Sequence, residues 1–198
     1  MKKEAGMGAN MVKDAAILLV ITLFSGLILG FVFQITKEPI ALAQERAAKK
    51  AYSEVFPAAQ EYEPIEDFPL DSLSLDSTWL EAGYEGVSIE NVLKAMDQDK
   101  ALLGYVLTVT SHEGYGGDIT FTMGIAGDGT LNGISILNIS ETAGLGMKAE
   151  EVLKPQFSNK KVSVFTYTKN GAVSDDQIDA ISGATITTKA MTNAVNGG

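Results

Sequence analysis

Apolar and polar positions divide the chain into three regimes. The first is Ala15 to Thr36, AAILLVITLFSGLILGFVFQIT, 22 residues without a charge between Asp14 and Lys37. As a helix this run rises about 33 Å, enough to cross a hydrocarbon core of about 30 Å. It predicts a transmembrane helix over 15–36 behind a short tail, 1–14, with the lipid bilayer around it. A secretory signal has an apolar part of roughly 7–15 residues and then a small-x-small cleavage site. This run is longer and no such site comes after it, so it reads as an uncleaved anchor. Lys2, Lys3 and Lys13 precede the span, and Lys37, Arg46, Lys49 and Lys50 come after it. Basic residues thus flank both ends, and charge bias assigns neither side.

The second regime, 37–82, connects the anchor to the rest of the chain. Residues 41–56, ALAQERAAKKAYSEVF, are rich in helix formers, and Leu42, Ala48, Tyr52, Val55 and Phe56 can share one face. Pro57 to Ser77 then sets Pro57, Pro64 and Pro69 among Glu61, Glu63, Glu66, Asp67, Asp71 and Asp76, which predicts a solvated, irregular connection.

The third regime, 83–198, alternates short apolar runs with turn residues, the pattern of an antiparallel sheet. Strands are expected at 91–96, 102–110, 118–126, 130–139 and 161–168. Gly127-Asp128-Gly129 predicts a hairpin between the third and fourth, and Lys169-Asn170-Gly171 a further turn. Helical patterns return at Lys148–Phe157 and after Thr185. The expected fold class is α+β: a single N-terminal transmembrane helix, then one domain with an antiparallel sheet and packed helices.

Charge and composition narrow the chemistry. A formal net charge of −10 and a pI near 4.5 argue against nucleic acid as a partner. With no cysteine, the chain cannot hold a thiolate iron–sulfur cluster, a disulfide or a dithiol redox pair. The single histidine, His112, cannot build a multi-histidine metal site and reads as a loop residue. Any redox role therefore needs an organic cofactor.

Three segments are richer in glycine and hydroxyl groups than core packing needs. Gly114-Tyr115-Gly116-Gly117 lets the backbone approach a ligand and offers Tyr115 to a flat ring; an ordinary hairpin turn would use the same residues. Glu141-Thr142-Ala143-Gly144-Leu145-Gly146-Met147 lies between a strand and a helix, where freed amides could face an anion. It is equally a plain connecting loop, and it is not a dinucleotide-binding GxGxxG. Asp179-Ala180-Ile181-Ser182-Gly183-Ala184-Thr185-Ile186-Thr187-Thr188 opens the last helix, with Ser182 or Thr185 as cap and first-turn amides suited to a phosphate. Periodicity alone favours a capped helix start.

This last segment resembles the flavinylation sequence S/T-G-A-T-x-S/T of FMN-binding domain proteins, whose final hydroxyl residue is esterified to the phosphate of flavin mononucleotide (FMN). The resemblance implies covalent FMN on Thr187, not Thr185 or Thr188, with Ser182, Gly183, Ala184 and Thr185 around the phosphate. The second segment resembles the family's E-T-P-G-L-G stretch at Glu141, Thr142, Gly144, Leu145 and Gly146, with Ala143 in place of proline, and implies another pocket wall. The Gly114 to Gly117 turn fits as well, as does Asp179 three residues before Ser182.

With the single span, the resemblance extends over nearly the whole chain. It is strongest to the G subunits of the Rnf ion-translocating ferredoxin:NAD oxidoreductase complexes; the C subunits of sodium-translocating NADH:quinone reductases are similar but usually longer. Membership implies an electron-transfer subunit that completes no reaction alone, with neither catalytic side chains nor a metal. It implies membrane and iron–sulfur subunits of the Rnf complex as partners, and a flavin transferase that moves FMN from FAD onto the threonine. It also implies the cytoplasmic membrane, with the flavin domain on the extracytoplasmic side. A membrane-tethered binding module without a redox cofactor is the competing class, motivated by the acidic surface and the lack of catalytic side chains.

Overall fold

The computed structural model describes residues 2–65, 68, 79 and 81–198. Its first element, α1, is one helix over Lys2–Val55. The expected tail, span and second helix are therefore continuous. Residues 2–14 contain no proline and are rich in Lys, Ala and Met, so nothing stops the helix before the span. Pro39 lies inside α1 and leaves the Ile35 carbonyl without its usual donor, but good helix formers on both sides carry the helix through it. Thr22 and Thr36 donate their hydroxyls back to the carbonyls of Leu18 at 3.0 Å and Val32 at 2.9 Å. Neither hydroxyl is left unpaired on the exposed helix surface. Leu29 is 70% exposed, and the helix is long and apolar enough to cross a membrane.

The chain forms two compact units, Met1–Arg46 and Ala47–Gly198. In the second, five strands form an antiparallel meander in the order β1-β2-β3-β4-β5: β1 Glu61–Pro64, β2 Val87–Met96, β3 Leu102–Ser111, β4 Ile119–Ala126 and β5 Leu131–Asn138. β1 falls in the stretch expected to be irregular. It pairs along the edge of β2, from Glu61 opposite Met96 to Pro64 opposite Leu93, and an edge strand tolerates a proline. Residues 66, 67 and 69–77 of that expected connection lie outside the described residues.

The β4–β5 hairpin turns where expected. Gly129, at φ +84°, donates its amide to Ala126 O at 2.9 Å, and Asp128 Oδ1 accepts the Thr130 amide at 3.0 Å. Hydrogen bonds from Thr130, and then the Lys161 ammonium, hold the Asp128 carboxyl below the usual carboxylate range. The turn thus keeps this support above that range and loses it as pH falls through the lowered value.

The expected strand 161–168 is mostly absent. Only β6, Thr166–Thr168, is a strand, and it pairs in parallel with β7, Gln177–Asp179. Just before β6 a side chain takes the place of a neighbouring strand: Asn196 Oδ1 accepts the Phe165 amide at 2.7 Å and its Nδ2 donates to Phe165 O at 2.9 Å. The expected helix Lys148–Phe157 is split into a 3-10 turn Gly146–Lys148, α2 Ala149–Val152 and a second 3-10 turn Lys154–Phe157. Pro155 breaks it, having no amide for the ladder. The last helix, α3, spans Thr185–Gly197 as expected.

Strand alternation gives the sheet two covered faces. Leu107, Val109, Phe121, Met123 and Ile134 face Leu153, Phe157, Met191 and Ala194 in the larger core. Val106, Leu93 and Ala95 face the other way, onto Val55 and Phe56 at the end of α1. That contact needs a bare backbone: a β-carbon at Gly124 would lie 2.8 Å from Val55 Cβ and 3.0 Å from Phe56 Cε2. Polar bonds fix the same turn of α1. Asn132 Nδ2 donates to Val55 O at 3.1 Å, while Ser135 Oγ and Lys154 Nζ donate to Glu54 Oε2 at 2.7 and 3.0 Å.

Gly124→Val should therefore lower stability by about 1–3 kcal/mol through overpacking. Phe157→Ala, which empties a fully buried position and ends an edge-to-face contact with Phe165 at 5.2 Å, should lower it by about 3–5 kcal/mol. Thermal unfolding of the full chain in detergent measures both, and an unchanged transition in either would contradict the packing described.

Candidate functional site

The three glycine- and hydroxyl-rich segments meet at one end of the sheet. The turn after β3 is held to the loop after β5 by one bond, the Gly116 amide donating to Glu141 Oε1 at 3.2 Å. The backbones touch here, since a β-carbon on Gly116 would lie 2.1 Å from Ser140 O. The loop after β5 in turn reaches the first turn of α3. A β-carbon on Gly146 would lie 2.7 Å from each of Glu141 Oε2 and Thr187 Oγ1, so the two oxygens stand within twice that distance of each other. Glu113 adds a further tie between the first segment and α3, accepting from Lys189 Nζ at 3.3 Å and Asn193 Nδ2 at 2.9 Å.

Between them lies a cavity of about 500 Å³, a volume suited to a small organic ligand. Of the residues singled out in the sequence, Tyr115, Glu141, Thr142, Leu145, Gly146, Gly183, Ala184, Thr185 and Thr187 line it. Ser182 and Gly144 do not. Ser182 is exposed, and Gly144, at φ +77°, serves to turn the loop. Ile186 completes the lining, and Tyr115 and Ile186, 70% and 52% exposed, give the mouth an apolar edge. Ile186 escaped sequence reasoning because it occupies the variable position of its motif.

The start of α3 differs from expectation. Its N-cap is Ala184, with no side-chain cap, rather than Ser182 or Thr185. The first-turn amides of Thr185, Ile186 and Thr187 consequently have no hydrogen-bond partner among the described residues, and α3 presents its positive end uncapped. Thr188 turns inward: its Oγ1 accepts the Ile181 amide at 3.1 Å and donates to Ala184 O at 3.0 Å. Thr187 is only 1% exposed, lines the cavity, and has a hydroxyl with no hydrogen-bond partner among the described residues.

An uncapped helix start, an unpaired hydroxyl and a backbone too close for a side chain suit a phosphate ester, with an apolar mouth for a flat ring. Asp179 and His112 stand apart from the lining. Asp179 Oδ1 accepts the Ala172 amide, closing the loop before β7. His112 joins Ser88 at 3.1 Å and Asp118 at 3.0 Å on the surface.

Family models and relatives place an FMN-binding domain in this part of the chain. The FMN-binding domain family matches residues 114–198, which contain all three segments, and the RnfG N-terminal region matches residues 1–55. The G subunit of the Na(+)-translocating ferredoxin:NAD(+) oxidoreductase complex of Acetobacterium woodii is 31% identical, over 93% of this chain and 87% of that protein. The G subunit of the ion-translocating oxidoreductase complex of Methanosarcina acetivorans is 29% identical, over 90% and 87%. Among solved structures, that of Shewanella oneidensis NqrC aligns with a TM-score of 0.49 at 16% identity, over 73% of this chain and 80% of that one. The chain belongs to the G-subunit family of Rnf-type ion-translocating oxidoreductase complexes and carries that family's FMN-binding domain.

Proposed function

We propose that this chain is the electron-transfer flavin subunit of a membrane-bound ion-translocating ferredoxin:NAD oxidoreductase, with FMN held as a phosphodiester on Thr187. The observation that carries the attachment site is the unpaired, cavity-facing Thr187 hydroxyl at the uncapped start of α3. Thr188 is a poorer acceptor, because esterification would break two hydrogen bonds that hold the turn before α3. Other subunits of the complex are its partners. The uncharged run of α1 anchors it in the bilayer as a single pass, with the flavin domain on the extracytoplasmic side.

Each cavity residue has a part in this reading. The amides of Thr185 to Thr187 would hold the phosphate, with Gly183 to Thr185 as its cradle. Thr142, Leu145 and Gly146 form the opposite wall, while Tyr115, Leu145 and Ile186 would keep water from the ring. When bound, FMN supplies one- and two-electron transfer through its isoalloxazine ring. In maturation by a flavin transferase, Thr187 Oγ1 bonds to the flavin-side phosphorus of FAD. The phosphoanhydride bond breaks, adenosine monophosphate leaves, the hydroxyl proton is released, and no electrons change hands. A covalent tether suits the extracytoplasmic side, where free FMN is scarce.

Chain produced with a flavin transferase should show in-gel flavin fluorescence, and peptide mass spectrometry should place the addition on Thr187. Thr187→Ala should abolish the fluorescence. Thr188→Ala should keep it while destabilising the domain by about 1–3 kcal/mol, the cost of leaving buried groups unpaired. Fluorescence that survives Thr187→Ala, or vanishes only in Thr188→Ala, would overturn the assignment. Gly146→Ala, whose new methyl meets Thr187 Oγ1, should cut flavin incorporation at least about tenfold with the fold retained by circular dichroism. Full incorporation would mean that the loop after β5 does not close on the acceptor.

A further inference from the structure

Phosphate sites commonly recruit arginine or lysine. The cavity has neither: among the described residues lining it, Glu141 is the one charged side chain, and it is an acid. It is nine-tenths buried. Its Oε1 takes the Gly116 amide at 3.2 Å, and its Oε2 has no hydrogen-bond partner among the described residues. That free oxygen and Thr187 Oγ1 converge on one point, each 2.7 Å from where a Gly146 β-carbon would stand. Lys189, on the next turn of α3, is drawn to Glu113 at 3.3 Å and is not part of the lining.

We propose that Glu141 makes the cavity selective for a singly charged phosphodiester, so that flavin is retained after esterification to Thr187 while free FMN is turned away. The inference rests on the reading of Thr187 as the FMN acceptor. The start of α3 offers roughly half a positive charge. Against it stands the full negative charge of a carboxylate, in surroundings that screen poorly. A phosphomonoester carries about 1.5 to 2 negative charges near neutral pH, whereas a diester has a single ionised oxygen. In the same cavity the monoester brings its additional ionised oxygen close to Thr187 Oγ1 and Glu141 Oε2, which lie within twice 2.7 Å of each other. The carboxylate outweighs the helix start for either anion; the ester bond holds the singly charged diester in place, and the free phosphate, with more charge and no bond, is turned away. The shape of the cavity accepts the flavin, and its charge decides which form stays.

The test uses the full chain in detergent carrying Thr187→Ala, which cannot be esterified, titrated by fluorescence with neutral riboflavin and with FMN. Riboflavin should bind at least about tenfold more tightly than FMN, a gap that a single close charge pair readily produces. Adding Glu141→Gln should close most of that gap by strengthening FMN binding alone, because the glutamine oxygen still accepts the Gly116 amide. Riboflavin affinity reports whether the doubly substituted cavity is intact, and the comparison in Thr187→Ala stands without it. FMN binding as tight as riboflavin in Thr187→Ala, a gap that Glu141→Gln leaves unchanged, or no riboflavin binding at all would each overturn the proposal. Mass spectrometry of the transferase-treated parent chain separates the two levels. Flavin on Thr187 with failed titrations removes only the role of Glu141; an unmodified Thr187 removes the FMN reading itself.

Discussion

Everything at the candidate site depends on how closely the backbone at Gly146 approaches two side-chain oxygens. With no β-carbon there, the loop after β5 can lie directly on Thr187 and Glu141. Any side chain would push the loop away from the first turn of α3 and open one wall of the cavity. The approach also explains how a threonine that is 1% exposed keeps an unpaired hydroxyl. Every fully buried side-chain oxygen among the described residues has a partner, so the Thr187 hydroxyl opens onto the cavity and not into packed protein. Whatever fills the cavity meets that oxygen, and a phosphate group gives it a bond that no neighbouring side chain supplies.

So close an approach needs a rigid platform beneath it. The sheet is packed on both faces: α3 and the segment 146–157 cover one, and the last turn of α1 covers part of the other. The three loops that meet at the cavity leave from β3, β5 and β7, whose ends are fixed by these contacts. Glu113 and Gly116 then tie the first loop to α3 and to the second loop. Positions on such loops are set by the elements beneath them, which is how fold and site are joined here. Gly124 plays for the α1 contact the part that Gly146 plays for the cavity.

The elements legible in the sequence are those with a strong local signal. The uncharged run, strands β3 to β5, the Gly127-Asp128-Gly129 hairpin and the start of α3 near Thr185 appear where their patterns put them, while β2 begins at Val87, four residues before its expected start. What was hidden is decided at long range. Residues 161–165 have strand composition, but Asn196 takes the bonds a neighbouring strand would have made to Phe165. β1 is short, charged and proline-bearing, and only the free edge of β2 makes it a strand. The absence of a side-chain cap on α3 was equally unreadable, because Ser182 and Thr185 are both good capping residues and only the backbone turn at Gly183 and Ala184 removes them from that role.

The pair Thr187-Thr188 shows most directly what geometry adds to composition. The two are chemically identical, both buried and adjacent, so hydropathy and propensity treat them alike. Neighbouring positions on a helix point about 100° apart, which must send the two hydroxyls to different surroundings. Thr188 turns toward the residues before α3 and fixes the turn that enters it, accepting the Ile181 amide and donating to Ala184 O. With that turn held by Thr188 and no side chain folded over the helix start, the amides of the first turn stay open. Thr187 then faces those amides' cavity with its own hydroxyl unpaired. One threonine stabilises the uncapped turn, and by doing so leaves its neighbour as the group a phosphate can reach.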